Sequence, residues 1–323
     1  MLSTNGCAKK KICCSEMLAS KFCKESCISS TKQRANKTTD EVNLEKNKML
    51  ATLKRHWPEY LMEAAGLGIF MMSACGFGAL FEYTASPIRQ ALPDPFARRI
   101  LMGLAMGLTA IGIIYSPWGK QSGAHLNPAV TLTFFRLGKV ARWDAFFYVF
   151  AQFLGGVAGV LISLVILGEI ISDPSVNFVA TLPGAGGAAT AFLAELAITF
   201  ILMTVVLHVS NNSRIAKFTG VFAGALVAAY IIFEAPLSGM SMNPARSFGS
   251  AFPGQIWNGL WIYFTAPPLG MLLASQIYLW RQGRDRIMCA KLHHQNNKRC
   301  IFCLHQQQAK TMSSVSNHPQ LSY

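Results

Sequence analysis

Charge is what this sequence has least of. Only 14% of its 323 residues are Asp, Glu, Lys or Arg, against 52% hydrophobic, where a soluble domain carries about 25% charged residues. Mean hydropathy is positive, so a lipid-embedded body is expected. Cysteine is almost missing from that body. Of nine, five lie near the start (Cys7, Cys13, Cys14, Cys23, Cys27), three near the end (Cys289, Cys300, Cys303), and Cys75 alone lies between. Such a distribution does not suit a disulfide framework, and reduced thiols are expected in the tails. No cleavable leader is expected either. The first 56 residues are polar and Lys-rich, without an apolar stretch of roughly 7–15 residues before a small-residue cleavage site. The first span is expected to act as the targeting signal.

Acidic residues are scarce, 15 against 29 basic, for a net charge of +14. Mapping that charge removes its apparent nucleic-acid meaning. Residues 1–56 carry +7, residues 281–323 carry +6, and residues 57–280 only +1. Basic tails flanking a nearly neutral apolar body fit two cytoplasmic tails under the positive-inside rule. They do not fit a basic groove built into a fold. Three parts follow: a basic tail over 1–56, expected to be disordered; a membrane domain over 57–280; and a second cytoplasmic tail over 281–323 with a Cys/His cluster.

Six apolar stretches near 58–82, 97–117, 143–168, 189–209, 218–235 and 257–280 reach the roughly 20 residues a bilayer span needs. Arg136, Lys139 and Arg142 precede the third, and Arg214 and Lys217 the fifth, whereas the connection at 169–188 has no Lys or Arg. This places both termini inside. Arg89, Arg98 and Arg99 lie at the first connection, on the side that this topology leaves outside.

The chain repeats itself. Ser122-Gly123-Ala124-His125-Leu126-Asn127-Pro128-Ala129 lines up with Ser238-Gly239-Met240-Ser241-Met242-Asn243-Pro244-Ala245, and Tyr148 to Gly155 with Tyr263 to Gly270. Glu63 and Glu195 occupy matching places in the first and fourth spans. Three spans per half make the repeat inverted, an arrangement that puts the working site at the interface of the halves. The expected fold is an all-α membrane protein of six transmembrane helices plus two re-entrant half-helices. Each Asn-Pro-Ala opens an apolar stretch too short to span. Asn caps a helix through its side-chain oxygen, Pro suits the first helical position, and the Asn amide keeps hydrogens to donate. Two such helix starts meeting end to end place two positive dipole ends together and disfavour cations.

These motifs resemble the major intrinsic protein family, the aquaporins and glycerol facilitators, with the aquaporin branch the nearer. The resemblance rests on Ser122–Thr131 and Ser238–Ser250 and extends over about 57–280. It implies a passive channel for water and small neutral solutes that excludes protons and ions, in the way generally described for aquaporin-type pores. It also implies a homotetramer in the bilayer. Arg246 matches the family's filter Arg; Met240 and Ile231 match two further filter positions, and the fourth falls at Met106 or Gly107. Water channels usually carry His where Ile231 stands, while Ser247, Ala251 and Tyr263-Phe264 lean towards water. Glu63 and Glu195 match carboxylates that brace the re-entrant loops, and His125 matches a loop-packing residue. Alternatives are a glycerol, urea or ammonia facilitator, a membrane scaffold with a closed pore, and a membrane enzyme using the Cys/His tail. For an enzyme, the spans offer no evident nucleophile–base pair.

No cofactor is expected in the membrane domain. In the C-terminal tail, Cys300-x-x-Cys303 has zinc-ligand spacing. With Cys289 and His293 upstream it makes the candidate set, beside His294 and His305. The competing reading is a disordered, reduced tail, with Cys289 or Cys13-Cys14 open to acylation.

Overall fold

The structure is a computed structural model that describes residues 21–303, with side chains from residue 40. Cys7, Cys13, Cys14 and His305 lie outside the described residues, as do the side chains of Cys23 and Cys27. Two compact units divide the chain, Met1–Arg55 and His56–Tyr323. In the first, the described residues are helical from Lys21. No Gly or Pro interrupts residues 21–57, and the polar residues that suggested disorder include the good helix formers Lys, Glu and Gln.

In the second unit the described residues build six membrane-length helices and two half-length ones, and no strand. The spans belong to α1 (Lys21–Glu82), α2 (Pro95–Tyr115), α4 (Arg142–Leu167), α5 (Gly187–Ser210), α6 (Thr219–Phe233) and α8 (Leu260–Gln282). The half-helices are α3 (Pro128–Arg136) and α7 (Pro244–Gly254). The ends follow local chemistry. Asp94 caps α2 by accepting from the Phe96 and Ala97 amides, with Pro95 in the first turn. Ser116 ends α2 before Pro117, and its Oγ accepts from Gly119 N to cap the short helix Pro117–Ser122. Trp257 falls outside the last span because Gly259, at φ 70°, turns the chain just before Leu260.

The halves interlock. Half-helix α7 packs on α4 of the first half, and α3 packs on α8 of the second. Spans α2 and α6 meet across the halves, as do α5 and α8 within the second. Spans α1 and α4 approach so closely that a Cβ at Gly155 would lie 2.1 Å from the Ala64 carbonyl oxygen. Backbones at this separation gain dispersion contacts in lipid, where exclusion of water supplies no force between helices. Leu108, Phe150, Leu154, Val165, Ile166 and Leu193 face outward, as the apolar exterior of a membrane body requires.

Beyond α8 the chain folds. Ile287, Cys289, Ala290, Lys291, Leu292, Ile301 and Phe302 are buried.

Candidate functional site: a pore at the meeting of two half-helices

A helix rises about 1.5 Å per residue. The nine residues of α3 and eleven of α7 therefore each cover about half of a ~30 Å hydrocarbon layer. Two short helices starting at the same central point cross it together. Asn127 Oδ1 accepts from Ala129 N at 2.8 Å, and Asn243 Oδ1 accepts from Ala245 N at 3.0 Å and Arg246 N at 3.2 Å. Each Asn amide then crosses to the other loop: Asn127 Nδ2 donates to the Met242 carbonyl and Asn243 Nδ2 to the Leu126 carbonyl, both at 2.7 Å.

The loops that deliver these starts are irregular backbone, whose polar groups need protein partners at membrane depth. Glu63 supplies them on one side, accepting from Ser122 Oγ, His125 N, Leu126 N and Gln152 Nε2 at 2.6–3.1 Å. Glu195 repeats this for Ser238 Oγ, Ser241 N and Met242 N at 2.6–2.8 Å. The Tyr148 hydroxyl donates to the Ser122 carbonyl, and the Tyr263 hydroxyl to the Ser238 carbonyl. Backbone strain repeats too: Ala124 and Leu126 in one loop, and Met240 and Met242 in the other, sit at φ between 51° and 59°. These left-handed residues carry Cβ atoms and cost energy, which the bracing carboxylates offset.

One cavity of about 340 Å³ passes this meeting point. Asn127, Asn243, Met106, Ile231, Met240 and Arg246 all line it. Gly107 does not. A Cβ there would stand 2.7 Å from the Gly224 carbonyl oxygen, so this residue belongs to the contact of α2 with α6. Of the two registers open in the sequence, the structure places Met106 at the cavity. Arg246 Nη1 is buried without a protein hydrogen-bond partner, leaving a donor for whatever occupies the cavity. At one end the wall includes Glu82 and Arg99, and at the other Leu292.

His125 is buried and fully engaged. Its Nδ1 meets Thr131 Oγ1 at 3.1 Å, its Nε2 meets the Ala290 carbonyl at 2.8 Å, and its ring stacks between Phe134 and Phe302. Ser122, Ser238, Tyr148, Tyr263 and Gln152 carry loop-holding contacts, a role the sequence did not assign to them. The repeated Ser-Gly and the matched Tyr148 and Tyr263 were the signal for four of the five.

In the C-terminal segment the structure gathers Cys289, His294, Cys300 and Cys303. His293 is a correction to the sequence-derived set. Its ring lies edge-on to Tyr115 at 5.1 Å, because consecutive side chains diverge in this non-helical stretch. Hydrogen bonding with the Cys289 thiol, and after it with His294, holds the Cys300 thiol below the usual range.

The family described as Major intrinsic protein matches residues 50–278. The chain belongs to this family. Aquaporin NIP1-2 of Arabidopsis thaliana is 32% identical over 239 residues, which cover 73% of this chain and 78% of that protein. Aquaporin NIP1-4 of Oryza sativa subsp. japonica is 34% identical over 229 residues, 70% of this chain and 78% of the relative. The X-ray structure of the aquaglyceroporin from Plasmodium falciparum superposes with a TM-score of 0.57 at 25% identity, covering 69% of this chain and 95% of that one. As a member of the major intrinsic protein family, the protein is an integral multi-pass channel that passes water and small neutral solutes passively.

Proposed function

We propose that the cavity between α3 and α7 is the conduction path and that Met106, Ile231, Met240 and Arg246 form its filter. The observation that carries this reading is that one cavity is lined by these four residues and by both Asn caps. Three apolar walls and one unpartnered guanidinium nitrogen favour a neutral solute that accepts a hydrogen bond. Water is the main substrate in this reading, and small uncharged solutes follow. Two helix N-termini facing the path repel cations. Each Asn side chain, tied to the opposite loop by one amide hydrogen, offers the other to a passing oxygen, which interrupts a proton-conducting chain.

Both termini face the cytoplasm in this proposal. Of the three basic residues at the first connection, which ran against it in sequence, Arg89 and Arg98 share the Glu82 carboxylate, so the positive charge there is reduced. Arg98 bonds the Glu82 carboxylate at 3.1–3.3 Å and the Leu92 and Pro93 carbonyls, and Arg89 lies 3.8 Å from Glu82. The family implies a homotetramer with a pore in each subunit, and no catalytic chemistry is assigned. Parallel measurement of water, glycerol and urea flux in proteoliposomes of the full chain tests the solute order. Water flux above empty liposomes and above either solute supports it, and glycerol or urea flux without water flux contradicts it.

A further inference from the structure

Outside the pore, the most concentrated chemistry among the described residues is at the C-terminal segment. One ligand atom each from Cys289, His294, Cys300 and Cys303 lies within 4.8 Å of the others. Cys289 Sγ is 3.5 Å from Cys300 Sγ and 3.7 Å from Cys303 Sγ, and Cys303 Sγ is 3.9 Å from His294 Nε2. Zinc–thiolate bonds of about 2.3 Å in tetrahedral geometry put ligand sulfurs about 3.8 Å apart. Three of the cluster's six edges therefore already match a zinc tetrahedron, and the other three are no longer than 4.8 Å. Its donors are soft and include no carboxylate, which selects zinc over magnesium or calcium. Four protein ligands fill the tetrahedron, the mark of a structural site.

The surroundings fit the same ion. The Lys291 amide points at Cys289 Sγ at 3.5 Å. The buried Lys291 ammonium reaches the Arg299 carbonyl at 2.6 Å and the Lys298 carbonyl at 3.4 Å. It thereby closes the loop between the ligands and places a positive charge beside three thiolates, which with zinc would sum to −1.

The segment is seated on the re-entrant loop. Leu292 N donates to the Gly123 carbonyl at 3.1 Å, the Ala290 carbonyl accepts from His125, and Phe302 stacks on the His125 ring at 5.4 Å. Arg299 pairs with the buried Glu59 at 3.2 Å. Leu292 lines the pore cavity at this end.

We propose that Cys289, His294, Cys300 and Cys303 bind one zinc ion that fastens this segment as a strap over the inner mouth of the pore. A segment this short has little core of its own, so metal-binding energy supplies its folding energy. Loss of zinc loosens the strap, withdraws Leu292 and raises permeability. The gating half rests on the channel reading; the metal half does not.

The test uses the purified full chain. Metal content is measured, and cobalt substitution reports thiolate ligation through its charge-transfer absorption. Water flux is then recorded in proteoliposomes with and without a membrane-permeant chelator. The expected result is about one zinc per chain, lost in the C300S/C303S double variant, with severalfold faster flux after chelation. Leu292→Ala should speed flux while keeping its zinc. Absence of zinc, together with no cobalt–thiolate band in the wild-type chain, overturns the site. Bound zinc with flux unchanged by chelation and by Leu292→Ala overturns the strap. Bound zinc with no flux of water, glycerol or urea in any state overturns the channel reading, and the gate with it.

Discussion

Asn127 and Asn243 hold each other's loops: the side-chain amide of each donates at 2.7 Å to a backbone carbonyl two residues or fewer from the other's Pro, at Met242 and Leu126. The residues that cap the half-helices thus also join the halves of the protein. The exchange fixes both amides beside the cavity that they line.

Replacing Asn127 by Asp keeps the cap but removes the donor. A carboxylate oxygen then faces the Met242 carbonyl, which is left without its partner at a cost of about 1–3 kcal/mol. Asn127→Asp is expected to melt at lower temperature in detergent and to leak cations into dye-loaded vesicles. An unchanged melting point with no leak would remove the cross-loop bond from the account.

Glu63 and Glu195 should be among the residues most sensitive to substitution. Glu63→Ala strands four donors and Glu195→Ala three, each at about 1–3 kcal/mol if left unsatisfied. Both variants are expected to lose most of the folded yield in size-exclusion chromatography. Glu63→Gln should recover part of it, because its amide oxygen still accepts. Equal yields for Ala, Gln and wild type would contradict the bracing role.

The filter is tested by changing its shape without touching the loops. Ile231→His puts a longer, polar ring in place of a branched alkyl group, and is expected to lower glycerol flux severalfold more than water flux. Met240→Ala opens the wall and should act in the opposite direction. Solute-to-water flux ratios in proteoliposomes report both, and ratios unmoved by either change would place the filter elsewhere.

Close approach of α1 and α4 predicts a packing effect remote from the filter. Gly155→Ala forces a methyl against the Ala64 carbonyl, and overpacking of this kind costs about 1–3 kcal/mol. A lower melting temperature in detergent is expected. Unchanged melting would show that the two helices separate at no cost.

Much of this architecture was legible because membrane constraints are written in composition and repetition. The spans, the paired turns and the Glu63 and Glu195 pair all follow from spacing. The Asn cross-bonds were hidden, since no one-dimensional pattern tells which carbonyl an amide reaches. Met106 and Gly107 could not be separated by counting, because the helix ends at Ser116 before Pro117, between them and the motif. His293 and His294 differ only in direction, which backbone geometry decides. The helix from Lys21 was obscured by polar composition, and the folded C-terminal segment by its lack of periodicity.

The central claim is that water crosses through the cavity lined by Asn127, Asn243 and the four filter residues. Stopped-flow light scattering of proteoliposomes under an impermeant osmolyte tests it most directly, with Met240→Trp as the blocked control. The account predicts shrinkage several times faster than in empty liposomes, returning to the empty rate when Trp replaces Met240. Shrinkage at the empty-liposome rate for the wild-type chain after zinc removal, or a fast rate untouched by Met240→Trp, would contradict it.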